Sequence, residues 1–260
     1  MHPQFGTIVT NKKEKNLEKI QLEAARIVTG TTRSVTLSNR YRETGWLTLS
    51  DRRLYQKLVL MYKIKNCMVP NYLLALFPRI DANTVHNNLR NRNDFKTTAR
   101  RTALYENSFI SSAVDWWNNL PEHLRNSPSI SCFKRILLQT KFPTSEVPLY
   151  YLHGSRRLSV IHVRLRNNCS DLKHDLFNNY FTTSDKCQNC NEIENAEHFF
   201  FKCRIYHNYR IYLLTTTRIL HPLNVKLLLF GDSRFSLEQN IIIVDAVHHY
   251  INATKRFENN

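Results

Sequence analysis

Apolar residues recur at helical spacing along most of the chain. The stretch LEKIQLEAARIVTG ends at Gly30 and places five apolar side chains on one face: Leu17, Ile20, Ala24, Ile27 and Val28. The stretch LSDRRLYQKLVLMYKIKN has a broader apolar face, and Ser50 is its predicted N-cap. Because so broad a face is typical of a helix packed on two sides, we expect a helical core in this part of the chain.

The same spacing predicts helices in NYLLALF, SFISSAVDWWNN, SISCFKRILLQ, RRLSVIHVRLR, SDLKHDLF, IYHNYRIYLLTTTRIL and SLEQNIIIVDAVHHYINATKRF. Ser236 and Gln239 form a predicted capping box at the start of the last of these helices. Trp116 and Trp117 are expected to pack in the core. By contrast, DANTVHNNLRNRNDFKTTARR lacks apolar periodicity and contains five Lys or Arg against two acids, so we expect an exposed basic loop there.

The pattern therefore predicts a mainly α-helical protein. The Pro-bounded link KFPTSEVPLY indicates a domain boundary near residue 145. We divide the chain into a helical bundle region over 1–145 with its basic loop at about 81–101, a basic helical hairpin over 146–185, a small CCHC knuckle over 186–210, and C-terminal helices over 211–260.

The charge of the chain points to a polyanionic partner. Of 260 residues, 37 are Lys or Arg and 21 are Asp or Glu, which gives a formal net charge of +16. Such an excess most often accompanies binding to the phosphate backbone of nucleic acid, although a basic surface without a dedicated ligand is the simpler alternative. With only 5 glycines, a Gly-rich nucleotide-binding loop is not expected.

The start of the chain, MHPQFGTIVTNKKEK, has no apolar core of a signal peptide, and no run of residues is apolar enough to span a bilayer. We therefore expect an intracellular protein, cytoplasmic or nuclear, with no membrane partner. In that reducing environment the six cysteines are expected to be free thiols or metal ligands.

Three of the six cysteines and one histidine fall within the short stretch CQNCNEIENAEHFFFKC. Their spacing is Cys187-x2-Cys190-x7-His198-x4-Cys203, and four such side chains complete a tetrahedral zinc shell. A full shell leaves no position for a reactive water, so we expect one structural Zn²⁺. Phe199, Phe200 and Phe201 would give the knuckle an apolar wall.

Three alternatives stay open for this stretch. Buried cysteines and a core histidine fall close together by coincidence in some helical domains. A redox-active C-x2-C pair is less favoured, because no βαβ pattern surrounds it. His207 is an alternative fourth ligand in place of His198. Cys67, Cys132 and Cys169 are isolated in the sequence and are expected to be core thiols.

The stretch CQNCNEIENAEHFFFKCRIY resembles the C-x2-C…E…HFxxxC motif of the zinc-binding region at the C-terminal end of non-LTR retrotransposon reverse transcriptases. Upstream stretches are similar to successive blocks of the same post-polymerase region in jockey-like elements, so that the resemblance extends from Leu17 to Phe257. It implies a C-terminal fragment that handles nucleic acid, RNA or DNA, and whose natural partner includes the remainder of a retrotransposon polymerase.

The resemblance does not imply catalysis. The parent proteins carry an endonuclease and a polymerase palm with a Tyr-x-Asp-Asp turn, whereas no two aspartates are adjacent in this chain. No pair of acids suggests a two-metal site. We therefore expect no enzymatic activity.

Two groups of basic residues are the predicted phosphate contacts. The first contains Arg90, Arg92, Lys96, Arg100 and Arg101, and the second contains Arg156, Arg157, Arg164 and Arg166. Tyr206 and Tyr209, next to Arg204 and Arg210, either stack on bases or pack inside the knuckle. The predicted function is sequence-nonspecific nucleic-acid binding without catalysis, and the rival is a zinc-stapled helical module that binds another protein.

Overall fold

The computed structural model describes the backbone of residues 11–77, 95, 102, 105, 108–218 and 223–258, with side chains described from residue 14 onward. Nearly all of its regular structure is helical, which confirms the expected mainly α-helical fold. Lys186 and Ile193 form an isolated antiparallel β-bridge. No helix in the described part of the chain is both long and apolar enough to cross a bilayer.

The chain divides into two compact units. Unit 1 comprises residues 1–21 and 46–144, and unit 2 comprises residues 22–45 and 145–260. Residues 22–45 fall within the helical bundle region expected over 1–145, whereas the structure groups them with the C-terminal part of the chain. The five basic residues Arg90, Arg92, Lys96, Arg100 and Arg101 lie outside the described residues.

The helices of unit 1 are α3 (Leu49–Lys65), α4 (Asn71–Ala75), α5 (Phe109–Asn118), α6 (Glu122–Arg125) and α7 (Ile130–Lys141), together with the first part of α1 (Asn11–Thr29). Helix α3 packs against α5 and α7. The N-cap of α3 is Thr48, whose hydroxyl accepts the N–H of Asp51, and not the expected Ser50.

Aromatic rings fill the centre of unit 1. The ring of Phe133 stacks on Tyr62 with centroids 4.7 Å apart, and it also contacts the fully buried Trp117. The hydroxyl of Tyr62 donates to the carbonyl oxygen of Ser127. Trp116 differs from the expectation: its side chain is 43% exposed and lies under the ammonium group of Lys141.

The helices of unit 2 are α2 (Leu37–Thr44), α8 (Arg156–Arg166), α9 (Lys173–Asn178), α10 (His207–Thr216), α11 (Val225–Phe230) and α12 (Leu237–Thr254), together with the last part of α1. Short 3-10 turns cover Leu149–Tyr151 and Arg204–Tyr206. The predicted capping box of Ser236 and Gln239 is present at the start of α12. Helix α2 was not predicted from the sequence.

Helix α12 is the centre of unit 2. It packs against α8, α10 and α11, and its residues Ile243, Val247 and Ile251 are almost fully buried in the main apolar cluster. Phe199 and Phe200, from the cysteine-rich stretch, are buried in the same cluster. The hydroxyl of Tyr250 on α12 donates to the carbonyl oxygen of Phe199 at 2.6 Å. The predicted metal-binding stretch is thus anchored on the core of unit 2.

The face of α1 that the sequence pattern identifies is largely exposed. Leu17, Ile20, Ile27 and Val28 present between 44% and 67% of their surface to solvent, whereas Leu22 and Ala25, on another side of the helix, are buried. The apolar spacing therefore predicts the helix correctly but does not mark its buried side.

Candidate metal centre

Two short segments bring the four predicted ligands together. Cys187 and Cys190 lie in a tight turn, and His198 and Cys203 lie at the two ends of a helical turn that follows it. The ligand atoms of all four residues lie within 4.8 Å of one another. The described residues contain no other group of three or more His, Cys, Asp or Glu side chains placed to hold a metal ion.

The turn that carries the first two cysteines is closed by backbone hydrogen bonds. The N–H of Asn191 donates to the carbonyl oxygen of Cys187 at 2.9 Å, and the N–H of Cys187 donates to that of Glu192 at 2.8 Å. Asn191 adopts a left-handed backbone with φ of 56°, a conformation that asparagine tolerates better than most residues. The bridge between Lys186 and Ile193 then holds the two arms of the turn side by side.

The second pair of ligands depends on a widened helical turn. The side-chain oxygen of Asn195 accepts the N–H of His198 at 2.8 Å and so caps the start of this segment. The residues His198–Lys202 form a π-helical turn, in which the N–H of Cys203 donates to the carbonyl oxygen of His198 at 2.8 Å. Because a π turn takes about one residue more than an α turn, residues five apart return to the same side.

The two ring nitrogens of His198 have different surroundings. Nδ1 lies 3.3 Å from Oε2 of Glu192. Nε2 is buried and has no hydrogen-bond partner in the described structure. A neutral imidazole that donates from Nδ1 to this carboxylate has a free lone pair on Nε2, which is the nitrogen available to a metal ion. A carboxylate that orients a histidine in this way is the usual support of a metal ligand.

The sulfur geometry also fits a tetrahedral ion. A Zn–S bond of about 2.3 Å places two sulfurs of a tetrahedral shell about 3.8 Å apart. Sγ of Cys190 and Sγ of Cys203 are separated by 3.8 Å. The donor set of three thiols and one imidazole is typical of structural zinc sites. The residues present therefore fit a closed four-ligand centre for a soft divalent ion.

Burial shapes the acidity of the thiols. Cys203 is almost fully buried, and burial raises its pKa to about 12, to which the neighbouring Cys190 thiol contributes. A backbone N–H from Ile205 donates to the Cys203 sulfur and opposes this rise in pKa. Such an N–H donor would favour the thiolate that a metal ion requires.

Arg210 joins the centre to α10. Its guanidinium is buried and donates from Nε to the carbonyl oxygen of Phe200 at 2.7 Å and from Nη2 to that of Cys203 at 2.8 Å. These carbonyls lie at the end of the π turn, where the backbone oxygens lack helical partners. In the sequence Arg210 stands out only as a neighbour of two tyrosines, and this role was not predicted.

A mostly buried ion pair connects the centre to the end of the chain. The carboxylate of Glu194 accepts two hydrogen bonds from Arg256, at 2.9 and 3.1 Å, and one from the backbone N–H of Lys173 at 3.0 Å. Arg256 also donates to the carbonyl oxygen of Asp171. Glu194 therefore connects the knuckle turn, helix α9 and the segment after α12.

The alternative ligand and the other three cysteines of the chain lie outside this group of ligands. His207, the alternative ligand, is exposed at the start of α10. Cys169 is buried and Cys132 is half-buried, away from the metal group. Cys67 is exposed, so it is not a core thiol as expected.

Helix α8 carries the second predicted basic group, and its four arginines all have partners within unit 2. Arg156 donates to the carbonyl oxygen of Ile27, and Arg157 contacts Asn252 and Glu258 from the surface. Arg164 donates to the carbonyl oxygen of Gly30 and lies 3.7 Å from Asp171.

Arg166 is the most enclosed of the four. Its Nε lies 3.3 Å from Oε1 of the buried Glu43, and its guanidinium stacks 4.4 Å from the ring centroid of Phe230. Tyr150 donates from its hydroxyl to the other oxygen of Glu43. Arg156 and Arg157 thus remain the more exposed pair, whereas Arg164 and Arg166 brace α8 against the rest of the unit.

The tyrosines beside the centre also differ from each other. The ring of Tyr206 packs edge-on against Phe199, with centroids 5.4 Å apart. Tyr209 is about half exposed on α10. Packing inside the knuckle is therefore the observed role of Tyr206.

Comparisons with protein-family models, with curated protein sequences and with solved structures find no match for this chain.

Proposed function

We propose that this protein is a non-catalytic, sequence-nonspecific nucleic-acid-binding protein whose C-terminal unit is stabilised by one structural Zn²⁺. The convergence of four ligand atoms, with a buried and unpartnered His198 Nε2 among them, carries the zinc part of the proposal. The ion would supply folding energy, because structural zinc contributes on the order of 10 kcal/mol to small domains. Cys187, Cys190, His198 and Cys203 would hold it.

The nucleic-acid part of the proposal rests on charge. The chain carries a formal charge of +16, and residues 81–101 combine five basic side chains with two acids. Phosphates neutralised by Lys and Arg release counterions, and this release drives binding that is independent of sequence. In unit 2 the exposed arginines Arg156 and Arg157 are the preferred phosphate contacts, since Arg164 and Arg166 are engaged internally. Retrotransposon ancestry, implied by the sequence resemblance, is part of the same proposal.

The first experiment measures metal and binding on the same preparation. We expect one zinc per chain by elemental analysis and salt-sensitive binding to labelled RNA or DNA. With about four or five phosphates neutralised, log affinity should fall against log salt with a slope of roughly −3 to −5. A folded protein that binds no zinc contradicts the first part of the proposal. A folded protein that does not bind nucleic acid at low salt contradicts the second part.

Charge-neutralising variants separate the contacts. Replacing the five basic residues of the first group by Gln should flatten the salt slope for all sequences alike, because phosphate contacts carry no base information. Arg156→Gln with Arg157→Gln should flatten it by a smaller amount. Lys202→Gln is the matched control, since Lys202 is exposed but already paired with Glu197 at 2.9 Å.

A zinc-stapled protein-interaction module is the second candidate function. The observation that favours it is the exposed apolar face of α1, formed by Leu17, Ile20, Ile27 and Val28. A patch of this kind on a soluble protein often marks a protein contact. Substituting Ile20 and Ile27 by Gln should leave nucleic-acid binding intact under the first proposal, and should abolish partner binding under the second.

A further inference from the structure

Helix α9 ends in a turn that presents two aromatic rings to solvent. The side chain of Tyr180 is 96% exposed and that of Phe181 is 79% exposed. Phe177, one turn earlier on α9, is also partly exposed. Aromatic side chains bury large apolar areas when a protein folds, so two adjacent rings left in water forgo a substantial stabilisation.

The backbone of this turn adds to that cost. The N–H of Phe181 donates to the carbonyl oxygen of Leu176 at 2.9 Å, which is the closing hydrogen bond of a Schellman motif. Tyr180 occupies the left-handed position of the motif, with φ of 62°. Glycine is strongly preferred at that position, and a bulky residue there is an outlier that often accompanies a functional constraint.

The sequence that flanks the two rings is polar and uncharged. Between Asp175 and Asp185 no acid occurs, and the side chains that flank the rings are amides and hydroxyls: Asn178, Asn179, Thr182, Thr183 and Ser184. Lys173 and Lys186 lie on either side of this stretch, and none of the described residues forms an ion pair with them. An aliphatic protein-binding patch would not be expected to have this composition.

The turn is also coupled to the candidate metal centre. The backbone N–H groups of Lys173 and His174, at the start of α9, donate to the side chain and the carbonyl oxygen of Glu194. Since Glu194 belongs to the knuckle, the same structure that holds the ligands sets the direction of α9. The helix that carries the two rings is therefore held in place by hydrogen bonds to the knuckle.

We propose that Tyr180 and Phe181 form a stacking platform for the bases of single-stranded RNA or DNA. This inference rests on the proposed nucleic-acid function and assigns it a base-contacting site. Every base has a flat face that stacks on an aromatic ring, so such a platform adds affinity without sequence preference. In a duplex these faces are covered by neighbouring base pairs, and the platform therefore selects single strands.

The test uses the left-handed position to separate binding from folding. Tyr180→Gly removes the ring and relieves the backbone, so its thermal stability should equal or exceed that of the natural protein. Its affinity for a 12-nucleotide oligouridylate should nevertheless fall about 5- to 150-fold, the range of one base–aromatic stack. Tyr180→Phe keeps the ring and should bind normally. Tyr72→Ala is the matched control, because Tyr72 is 70% exposed but lies in unit 1.

Binding to an abasic oligonucleotide of the same length distinguishes base stacking from a structural role of the two rings. The natural protein should bind it more weakly than oligouridylate, whereas Tyr180→Gly combined with Phe181→Ala should bind the two almost equally. The salt slope should be the same for all these proteins, because no charge is altered.

Several results would overturn the inference. If the natural protein binds oligouridylate but the ring variants bind it equally well, the platform is refuted while the proposed function stands. An equal loss of affinity for the abasic strand would assign the rings a structural role. A natural protein that sediments as a dimer, and a Tyr180→Gly variant that sediments as a monomer with unchanged RNA affinity, would show that the rings join two copies of the chain. If the natural protein binds no nucleic acid, both proposals fail.

Discussion

Replacing Glu194 by Ala should destabilise unit 2 strongly, although Glu194 is not a ligand. Its side chain is only 7% exposed and that of its partner Arg256 is 18% exposed. The pair makes two hydrogen bonds, and the carboxylate also accepts the backbone N–H of Lys173. Removing the carboxylate would leave a mostly buried guanidinium without its counter-charge and a backbone N–H without its acceptor.

The size of the effect follows from these contacts. Breaking a buried ion pair by removing one partner costs about 3–5 kcal/mol. Arg256 keeps some exposure and its hydrogen bond to the carbonyl oxygen of Asp171, so the lower part of this range applies. Losing the acceptor of the Lys173 N–H adds about 1 kcal/mol. We therefore expect Glu194→Ala to lower the free energy of unfolding by about 4 kcal/mol.

Urea unfolding followed by circular dichroism, at a buffered concentration of free zinc, measures this free energy. Glu197→Ala is the matched control, because Glu197 pairs with Lys202 while both side chains are 56% exposed. An exposed pair contributes about 0–1 kcal/mol. The variant lacking both Glu194 and Arg256 should lose less than the sum of the two single variants. If Glu194→Ala costs no more than Glu197→Ala, the reasoning from burial is refuted.

Three further predictions concern the metal, unit 1 and pH. Cys190→Ser should abolish stoichiometric zinc binding in elemental analysis, whereas Cys67→Ser should retain it, because Cys67 is outside the ligand group. Trp117→Ala should cost about 3–5 kcal/mol in urea unfolding, since its ring is fully buried, and the neighbouring Trp116→Ala should cost far less. Burial lowers the pKa of His162 from 6.5 to about 3, so the folded state keeps this imidazole neutral while the unfolded chain takes up a proton. Its stabilising contribution is present above about pH 6.5 and is lost as the pH falls towards 3, and His162→Gln should reduce that pH dependence in unfolding experiments.

Local patterns in the sequence predicted those features that depend on nearby residues. The capping box at Ser236 and Gln239 involves residues three apart, and it is present. The four ligands fall within seventeen residues, and the structure brings them together. Helical segments were found for the same reason, because apolar spacing within one segment reflects one helix.

Features that depend on distant residues were missed. Arg166 looks like a surface charge in its own segment, but its partner Glu43 lies in α2, a helix that was not predicted. Arg164 likewise donates to Gly30, 134 residues away. Trp116 and Trp117 are equally apolar neighbours, and only the packing of α5 decides which of the two rings is buried.

The buried guanidinium of Arg210 has a consequence for the overall charge of the metal centre. Three thiolates, one neutral imidazole and one Zn²⁺ together carry a net charge of −1, which is costly in a buried environment. Arg210 places one positive charge at the carbonyls of Phe200 and Cys203, beside the ligands. In the proposed zinc-bound state, this arginine would offset the negative charge of the three-thiolate shell. Since protons compete with zinc for the sulfurs, this compensation should allow the protein to retain its metal at a lower pH than an uncompensated centre would.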